Sequence, residues 1–190
     1  DADGERVYYV LNNDLISGVY SLDSFNGSFN GQGHMVRASI FIEELNEYGF
    51  LSNVVVYKGK AVQDVNGGTV ENCATILESV FNSGFAGTLS GGRISNCASV
   101  VADASSVVLA GGFIGEVIGG IITDCYVKNA VVSGDEYSGG FVGKNSGGRI
   151  SNCYVYGGEV SSLNTTGGFA GRNDNGGVIE NCCTTATVTE

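Results

Sequence analysis

Apolar and polar residues alternate in short runs along most of the chain. In one recurring stretch an aliphatic residue is always present at the centre, whereas its two neighbours vary between Arg, Thr, Ser, Glu and others. The aliphatic residues of the five copies are Val70, Ile94, Ile122, Ile150 and Ile179. A period of two predicts β-strands whose aliphatic side chains point inward.

Two signatures repeat around these strands. The first is Gly-Phe-x-Gly, and its phenylalanines Phe85, Phe113, Phe141 and Phe169 are each 28 residues apart. The second is Gly-Gly-x-Ile-x-Asn-Cys, which occupies residues 91–97, 119–125 (with Asp in place of Asn), 147–153 and 176–182, with a degenerate copy at 67–73. A fixed period of this length predicts a solenoid built from stacked coils.

The residues that flank each predicted strand favour bends. Paired glycines precede the strand, where a positive φ costs little, and the asparagine after it tolerates the left-handed region. Stacking would place Asn72, Asn96, Asn152 and Asn181 in a column of hydrogen-bonded amides. We expect Asp124 to interrupt the column, because an ionised carboxylate only accepts hydrogen bonds.

A coil of 28 residues can hold three short strands and their bends. Neighbouring coils would lie about 4.8 Å apart and be joined by parallel backbone hydrogen bonds. The predicted core consists of three columns, namely the phenylalanines of Gly-Phe-x-Gly, the central aliphatic residues, and the valines that follow the cysteines.

The stretch Phe25-Asn-Gly-Ser-Phe-Asn-Gly-Gln-Gly-His-Met-Val36 resembles the Phe-x-Gly-x-Phe-Asp-Gly-x-Gly-His-x-Ile coil at the start of bacterial right-handed β-helix proteins. The later repeats are similar to the GLUG motif. Together the resemblance covers roughly residues 7–36 and 67–190, with Asn30 where these proteins usually have Asp. It implies an all-β chain that forms a right-handed parallel β-helix with coils of roughly 28 residues.

The domain organisation expected on this basis is a single β-helix domain over residues 1–190. Residues 1–66 would form the opening coils and an N-terminal cap region, and residues 67–190 the GLUG-like coils. We expect the chain to be a segment of a longer protein, because residues 168–190 stop short of a full period without a cap.

The region from 38 to 63 does not align with the repeats. Residues 7–11 and 54–57 are predicted strands, the latter because of its β-branched run. Residues 40–49 are predicted to be a strand that runs into a short helical turn, with Gly49 as its stop.

Charge and composition restrict the possible partners. The formal net charge is -11, with nine Lys and Arg, which disfavours phosphate backbones and anionic membranes. We therefore expect no nucleic-acid partner. The 31 glycines and the absence of proline suit a parallel ladder that needs turns and every backbone donor. No run of about 20 apolar residues suggests membrane insertion.

Five of the six cysteines share one repeat position, at Cys73, Cys97, Cys125, Cys153 and Cys182. Buried, reduced thiols are the favoured interpretation, and disulfides between adjacent coils are the alternative. Cys183 would point to the opposite side of its strand. A zinc site is not expected, since the chain has no Cys-x-x-Cys and a single histidine, His34.

No residue pattern indicates catalysis. His34 falls inside a turn of the opening coil, and the motifs of serine hydrolases, zinc peptidases and nucleotide-binding loops do not occur. Scattered carboxylates could include a calcium site or an acid pair, but solvated loop charges are the favoured interpretation. These carboxylates are Asp103, Asp124, Asp135, Glu136 and Asp174. We expect no catalytic residue, no metal and no cofactor.

Three tyrosines are the candidate binding residues. Tyr126 and Tyr154 follow Cys125 and Cys153 directly, so they should point outward on adjacent coils, with Tyr156 further along the same face. Exposed tyrosines can stack on sugar rings or anchor a protein partner. The alternative is a stacked pair that only stabilises its own sheet.

These features support three functional hypotheses. The first is a non-catalytic, secreted or cell-surface bacterial binding module, adhesin-like, that recognises a host glycoprotein or polysaccharide. The second, implied by the resemblance, is a non-catalytic segment of an immunoglobulin A protease-like protein, in which a zinc peptidase domain would follow residue 190. The third is a polysaccharide-cleaving β-helix enzyme, for which Arg93 and Arg149 share a repeat position but lack a repeated acidic partner. End-to-end contact through the C-terminal coil is also possible.

Overall fold

The computed structural model describes residues 7–77, 80–81, 83–100, 104–106 and 108–189. All regular elements within these ranges are β-strands, and none of the described residues forms a helix that could cross a membrane. The strands are β1 Tyr8–Val10, β2 Leu22–Phe25, β3 Ser28–Asn30, β4 Met35–Arg37, β5 Ile40–Leu45, β6 Phe50–Ser52, β7 Val55–Tyr57, β8 Lys60–Glu71, β9 Ala74–Ile76, β10 Val80–Phe81, β11 Ala86–Ser95, β12 Ala98–Val100, β13 Ala104–Ser106, β14 Leu109–Gly111, β15 Ile114–Val117, β16 Ile121–Thr123, β17 Tyr126–Gly134, β18 Tyr137–Gly139, β19 Val142–Asn145, β20 Arg149–Ser151, β21 Tyr154–Ser162, β22 Thr165–Gly167, β23 Ala170–Asn173, β24 Val178–Glu180, β25 Cys183–Thr184 and β26 Thr187–Thr189.

The strands pair in parallel with strands of the preceding and following coils. Within the described part of the chain they form a first sheet of 13 strands, a second sheet of 10 and a third sheet of 3. The long strands β8 and β11 run through both halves of the first sheet, β17 and β21 through both halves of the second. The chain therefore has the all-β parallel β-helix fold that the repeats predict.

The coils are not all of one length. Residues that meet on adjacent coils are 23 residues apart at Asn30 and Asn53 and 24 apart at Asn72 and Asn96. In the C-terminal half the separation becomes 28, as between Cys97 and Cys125. The third sheet, β14, β18 and β22, lies in these longer coils. The earlier, shorter coils explain why the region from 38 to 63 does not align with the repeat.

The predicted core columns are present. Phe85, Phe113 and Phe141 have no exposed surface, and the rings from Phe85 to Phe169 stack at centroid distances of 4.6, 4.7 and 4.9 Å. The aliphatic column pairs in register from Val70 through the central isoleucines to Ile179. Regular stacking of identical side chains buries apolar surface in every coil, which is the main stabilising contribution to such a fold.

The glycines of the Gly-Gly-Phe-x-Gly stretch allow two chain segments to approach closely. A Cβ atom at Gly139 would lie 2.0 Å from the carbonyl oxygen of Val142, and one at Gly140 would lie 2.2 Å from that of Gly168. No side chain fits at such distances. The motif therefore marks the corner where the third sheet folds back onto the first.

The structure corrects the interpretation of residues 40–49. Strand β5 ends at Leu45, and a turn closed by the Gly49 N–H donating to the Asn46 carbonyl over 2.8 Å follows it. The helical turn predicted there is wrong, because β5 is held on both sides by parallel ladders to β2 and β8. The strands predicted near 7–11 and 54–57 are confirmed as β1 and β7.

The sequence did not indicate a second asparagine pair at the bend after β19. Asn145 is fully buried and donates to Asn173 on the next coil over 2.8 Å, and its amide also bonds both backbone groups of Gly148. The same position in earlier coils is Val117 and Leu89. An apolar column thus changes to a hydrogen-bonded polar one within the same fold.

The C-terminal coil is less buried than those before it. Phe169, Ile179 and Cys182 are half-buried, whereas Phe141, Ile150 and Cys153 in the coil before are at most 1% exposed. The core therefore faces solvent on one side at this coil. The end-to-end contact expected from the sequence stays a prediction.

Candidate functional site

Tyr126 and Tyr154 form a stacked pair on the second sheet. They are register partners of β17 and β21, and their rings lie nearly parallel, with centroids 5.2 Å apart. Tyr154 is 44% exposed and Tyr156 59% exposed, whereas Tyr126 is half-buried. We call Tyr126 and Tyr154 the tyrosine column. All three tyrosines point outward as predicted, because Val127 and Val155 between them point into the core.

The position next to the column on each preceding coil is small. Tyr126 pairs with Ala98, and Ala98 pairs with Ala74. Tyr154 covers one face of the Tyr126 ring, so the other face is turned toward Ala98, whose side chain is a single methyl group. Beside the column, Lys128 pairs with Tyr156 on the adjacent coil.

The bend that leads into these strands is an asparagine corner, formed by Asn53, Asn72, Asn96, Asp124, Asn152 and Asn181. Each of these residues has a positive φ, between 51° and 56°, a conformation that asparagine tolerates better than most residues. The Asn96 amide donates to the Asn72 Oδ1 over 2.6 Å, and the Asn53 amide donates to the Asn30 Oδ1 over 3.1 Å. The predicted column of amides is confirmed.

Asp124 interrupts this ladder as expected. Its two carboxylate oxygens accept from the Asn152 amide over 3.2 Å and from the Thr123 hydroxyl over 2.9 Å. A carboxylate has no N–H to donate toward the preceding coil. The Oδ1 of Asn96 therefore receives no ladder hydrogen bond from its neighbour, in contrast to the Oδ1 of Asn72.

The small alanines and the asparagine corner together leave a shallow groove that runs along the helix axis. It extends from Asn30 past Asn53 and Asn72 to Asn96, and the ring of Tyr126 closes its C-terminal end. The residues that line it are all uncharged. At about 4.8 Å per coil, four coils make the groove about 15 Å long.

The cysteine column faces the core, with the thiols reduced. The Cys97 N–H donates to the Cys125 sulfur over 3.4 Å, and the Cys97 thiol donates to the Ser95 carbonyl over 3.1 Å. Burial raises the pKa of Cys97, and hydrogen bonding to Cys125 together with burial raises that of Cys153. These thiols are packing groups. Cys183 is exposed on the outer side of its strand, as predicted.

His34 lies on the opening coil and is anchored by Asp14. The Asp14 Oδ1 accepts from the Met35 N–H over 2.8 Å and lies 3.2 Å from the His34 Nδ1. These hydrogen bonds lower the pKa of Asp14. The pair fixes the turn of the opening coil onto β4.

The scattered carboxylates do not come together. Asp124 belongs to the asparagine corner, whereas Asp174 forms an ion pair with Arg172 at 2.6 Å on the first sheet. Within the described ranges there is no group of three or more His, Cys, Asp or Glu suited to a metal. Asp103 lies outside the described residues. Arg149 forms an ion pair with Glu180, and Arg93 faces Ile121 on the next coil.

The sequence indicated the tyrosines but not the groove beside them. Ala74 and Ala98 attract no notice as residues, and only the register shows that they lie in line with Tyr126. The break at Asp124 is visible in the repeat alignment. Its position next to the aromatic ring becomes clear only in the folded coil.

Comparison with known proteins identifies the repeat. The family model for the GLUG motif matches residues 106–132 and 134–161, so the chain carries two matched copies of this motif. Comparison with curated proteins gives no match. Among solved structures, the chain is similar to a Bacteroides ovatus protein that is proposed to be an immunoglobulin A1 protease. The similarity has a TM-score of 0.56 at 22% identity, and it covers 98% of this chain and 71% of that one. At this identity the similarity concerns the fold.

Proposed function

We propose that this chain is a non-catalytic binding module of a bacterial protein that acts outside the cell or on its surface. The module presents one long side of the β-helix to a polysaccharide or a host glycoprotein, in the manner of an adhesin. The observation that carries the proposal is the outward tyrosine column with Tyr156 beside it, on an otherwise regular solenoid.

Three features support a binding role for this face. Aromatic side chains on a flat parallel sheet are held rigidly, so little conformational entropy is lost when a ligand packs on them. Tyr154 and Tyr156 both expose about half of their surface. The repeated polar residues at the bends are engaged in the coil's own hydrogen bonds, which is consistent with a structural rather than a catalytic use.

A binding screen tests the proposal. The chain would be applied to arrayed glycans and mucosal host glycoproteins beside a Tyr126→Ala/Tyr154→Ala double variant. Tyr48→Ala is the matched control, because Tyr48 is 57% exposed and lies in the bend after β5, away from the tyrosine column. We expect saturable binding that the double variant loses and the control keeps. Absence of binding to every arrayed ligand would refute the proposal.

A second candidate is that the module belongs to a protein of the immunoglobulin A protease type, in which another domain carries out proteolysis. The structural similarity to the Bacteroides ovatus protein, over nearly the whole of this chain, favours it. Incubation of the purified chain with immunoglobulin A1 tests this role. Retention of the immunoglobulin without cleavage is the expected result, and the lack of any retention contradicts this second candidate.

A further inference from the structure

We propose that the groove between the asparagine corner and the tyrosine column binds a neutral oligosaccharide, laid along the helix axis with one sugar ring on Tyr126. This inference rests on the binding function proposed above and specifies its ligand class. It places the contact on the groove side of Tyr126 rather than on the more exposed Tyr154 and Tyr156.

The free face of the Tyr126 ring provides the first part of the site. Tyr154 supports the ring from the next coil at 5.2 Å, and Ala98 leaves the opposite face accessible from the groove. A sugar ring has an apolar face of C–H groups that packs on an aromatic ring, while its hydroxyls remain at the rim. A rigid ring at the end of a groove of small residues suits that shape.

The asparagine corner provides hydrogen-bonding groups along the same line. A side-chain amide has two N–H groups and an oxygen with two lone pairs. The bond from Asn96 to Asn72 uses one N–H of the first residue and one lone pair of the second, and both residues are exposed. Further donor and acceptor capacity therefore points along the groove, and sugar hydroxyls, which both donate and accept, match it.

The ladder break at Asp124 supplies an acceptor beside the ring. Because Asp124 accepts from Asn152 and Thr123 and has no N–H, the Asn96 Oδ1 is not occupied by the next coil. A hydroxyl of a sugar stacked on Tyr126 can donate to it. In a ladder with asparagine at every coil, this acceptor would be satisfied internally.

Charge decides between neutral and acidic saccharides. The groove lining contains no Lys, Arg, Asp or Glu, so it has no cation for a carboxylate or sulfate group. The chain carries a net charge of -11, which repels anionic polymers at moderate salt. Uncharged sugars avoid both penalties.

Isothermal titration calorimetry tests the inference with oligomers of glucose, xylose, mannose and N-acetylglucosamine, from dimer to hexamer. An oligogalacturonate series of the same lengths is the anionic comparison. We expect at least one neutral series to bind, with affinity that increases up to about the tetramer because the groove is about 15 Å long. The galacturonate oligomers should bind at least about tenfold more weakly.

Three variants test the geometry. Ala74→Gln fills the floor of the groove from an outward position and leaves the tyrosines intact, so affinity should fall about tenfold or more. Tyr126→Ala removes the stacking face and should also cost about tenfold. Asp124→Asn can donate to the Asn96 Oδ1 and should weaken binding several-fold, about threefold or more. Tyr48→Ala should bind like the parent chain, and thermal unfolding of each variant confirms that it is folded.

The outcomes separate this inference from the proposed function. If no neutral oligomer binds, or if Ala74→Gln and Asp124→Asn bind like the parent chain, the groove is not the site. If arrayed glycoproteins still bind through Tyr154 and Tyr156 in that case, the proposed function stands while this inference fails. If neither oligomers nor arrayed ligands bind, both are refuted.

Discussion

The rings of Phe85 and Phe113 lie parallel to within 3°, with their centroids 4.6 Å apart, in the centre of the β-helix. Phe113 stacks in the same way on Phe141. Each phenylalanine is therefore packed between two identical neighbours. This relationship makes the column a sensitive probe of how the coils depend on one another.

Replacing Phe113 should destabilise the fold strongly. Phe113→Ala removes a fully buried ring from between two stacked neighbours, and we expect a loss of about 3–5 kcal/mol in the free energy of unfolding. Phe113→Leu retains most of the volume and should cost about 1–2 kcal/mol. Phe169→Ala should cost less than Phe113→Ala, because Phe169 is half-buried. Urea unfolding measures all three, and equal losses at both positions would contradict the burial difference.

Close backbone approach should make one glycine of the repeat far less tolerant than another. In Gly140→Ala the new Cβ would meet the Gly168 carbonyl oxygen at 2.2 Å, whereas in Gly91→Ala the nearest atom is at 3.7 Å. We expect the first variant to lose about 2–3 kcal/mol and the second to stay within about 0.5 kcal/mol of the parent. Thermal and urea unfolding of the pair provide the comparison. Similar stability in the two variants would show that the corner can relax.

The asparagine corner should depend on backbone conformation as well as on hydrogen bonds. Asn152 has a φ of 55°, donates to Asp124 and accepts from Asn181. Asn152→Ala loses both bonds and imposes a strained conformation, so we expect a cost of about 2–3 kcal/mol, whereas Asn152→Gly should cost about 1 kcal/mol. If both variants are equally destabilised in urea unfolding, the left-handed conformation contributes little.

The buried thiols should make stability fall at alkaline pH. The pKa values of Cys97 and Cys153 are raised in the folded chain, so these thiols stay protonated there while they ionise in the unfolded chain. Their contribution is complete below the unfolded thiol pKa of about 8.5 and is lost as the pH rises above it, by up to about 1.4 kcal/mol per pH unit for each thiol. Urea unfolding between about pH 7 and about pH 10 measures the slope. Cys97→Ala/Cys153→Ala should have a shallower slope, and an unchanged slope would exclude these thiols as the cause.

Thiol labelling should distinguish Cys183 from the column. Cys183 is exposed, Cys182 is half-buried and the other four cysteines are buried. Under native conditions we expect rapid reaction of Cys183 with a thiol reagent, slower reaction of Cys182 because burial raises its pKa, and reaction of the remaining four only after denaturation. Mass spectrometry of the labelled chain identifies the sites. Cys183→Ser should abolish the rapid phase, and rapid labelling of Cys125 or Cys153 would contradict the inward column.

Repetition in the sequence was sufficient to predict most of the fold. Because Phe113, Ile122 and Cys125 recur at a constant distance, their shared position in the core follows from the period alone. The early coils could not be predicted in the same way, since they are shorter and their apolar residues follow no common spacing. Residues 40–49 show the cost, because glutamates within an apolar run gave a helical pattern where parallel neighbours impose a strand.

The candidate site was predictable only in part. Tyr126, Tyr154 and Tyr156 could be placed on the outer face because strands alternate, and the structure shows them there. Whether they bind a ligand stays a prediction. The groove depends on which residues of different coils lie in line, and that register is set by the whole stack rather than by local sequence. The change from Val117 to Asn145 at a buried position shows the same limit, since only the next coil's Asn173 explains it.

The constant register between Phe113, Phe141 and their neighbours has a further consequence for variation in the length of the protein. Removing residues 113–140 would join two coils whose columns still match, whereas removing a single residue would displace every later side chain to the opposite side of its strand. Whole coils can thus act as exchangeable cassettes. Gain or loss of one cassette changes the length of the molecule by about 4.8 Å, so the reach of this surface can evolve in discrete steps without redesign of its interior.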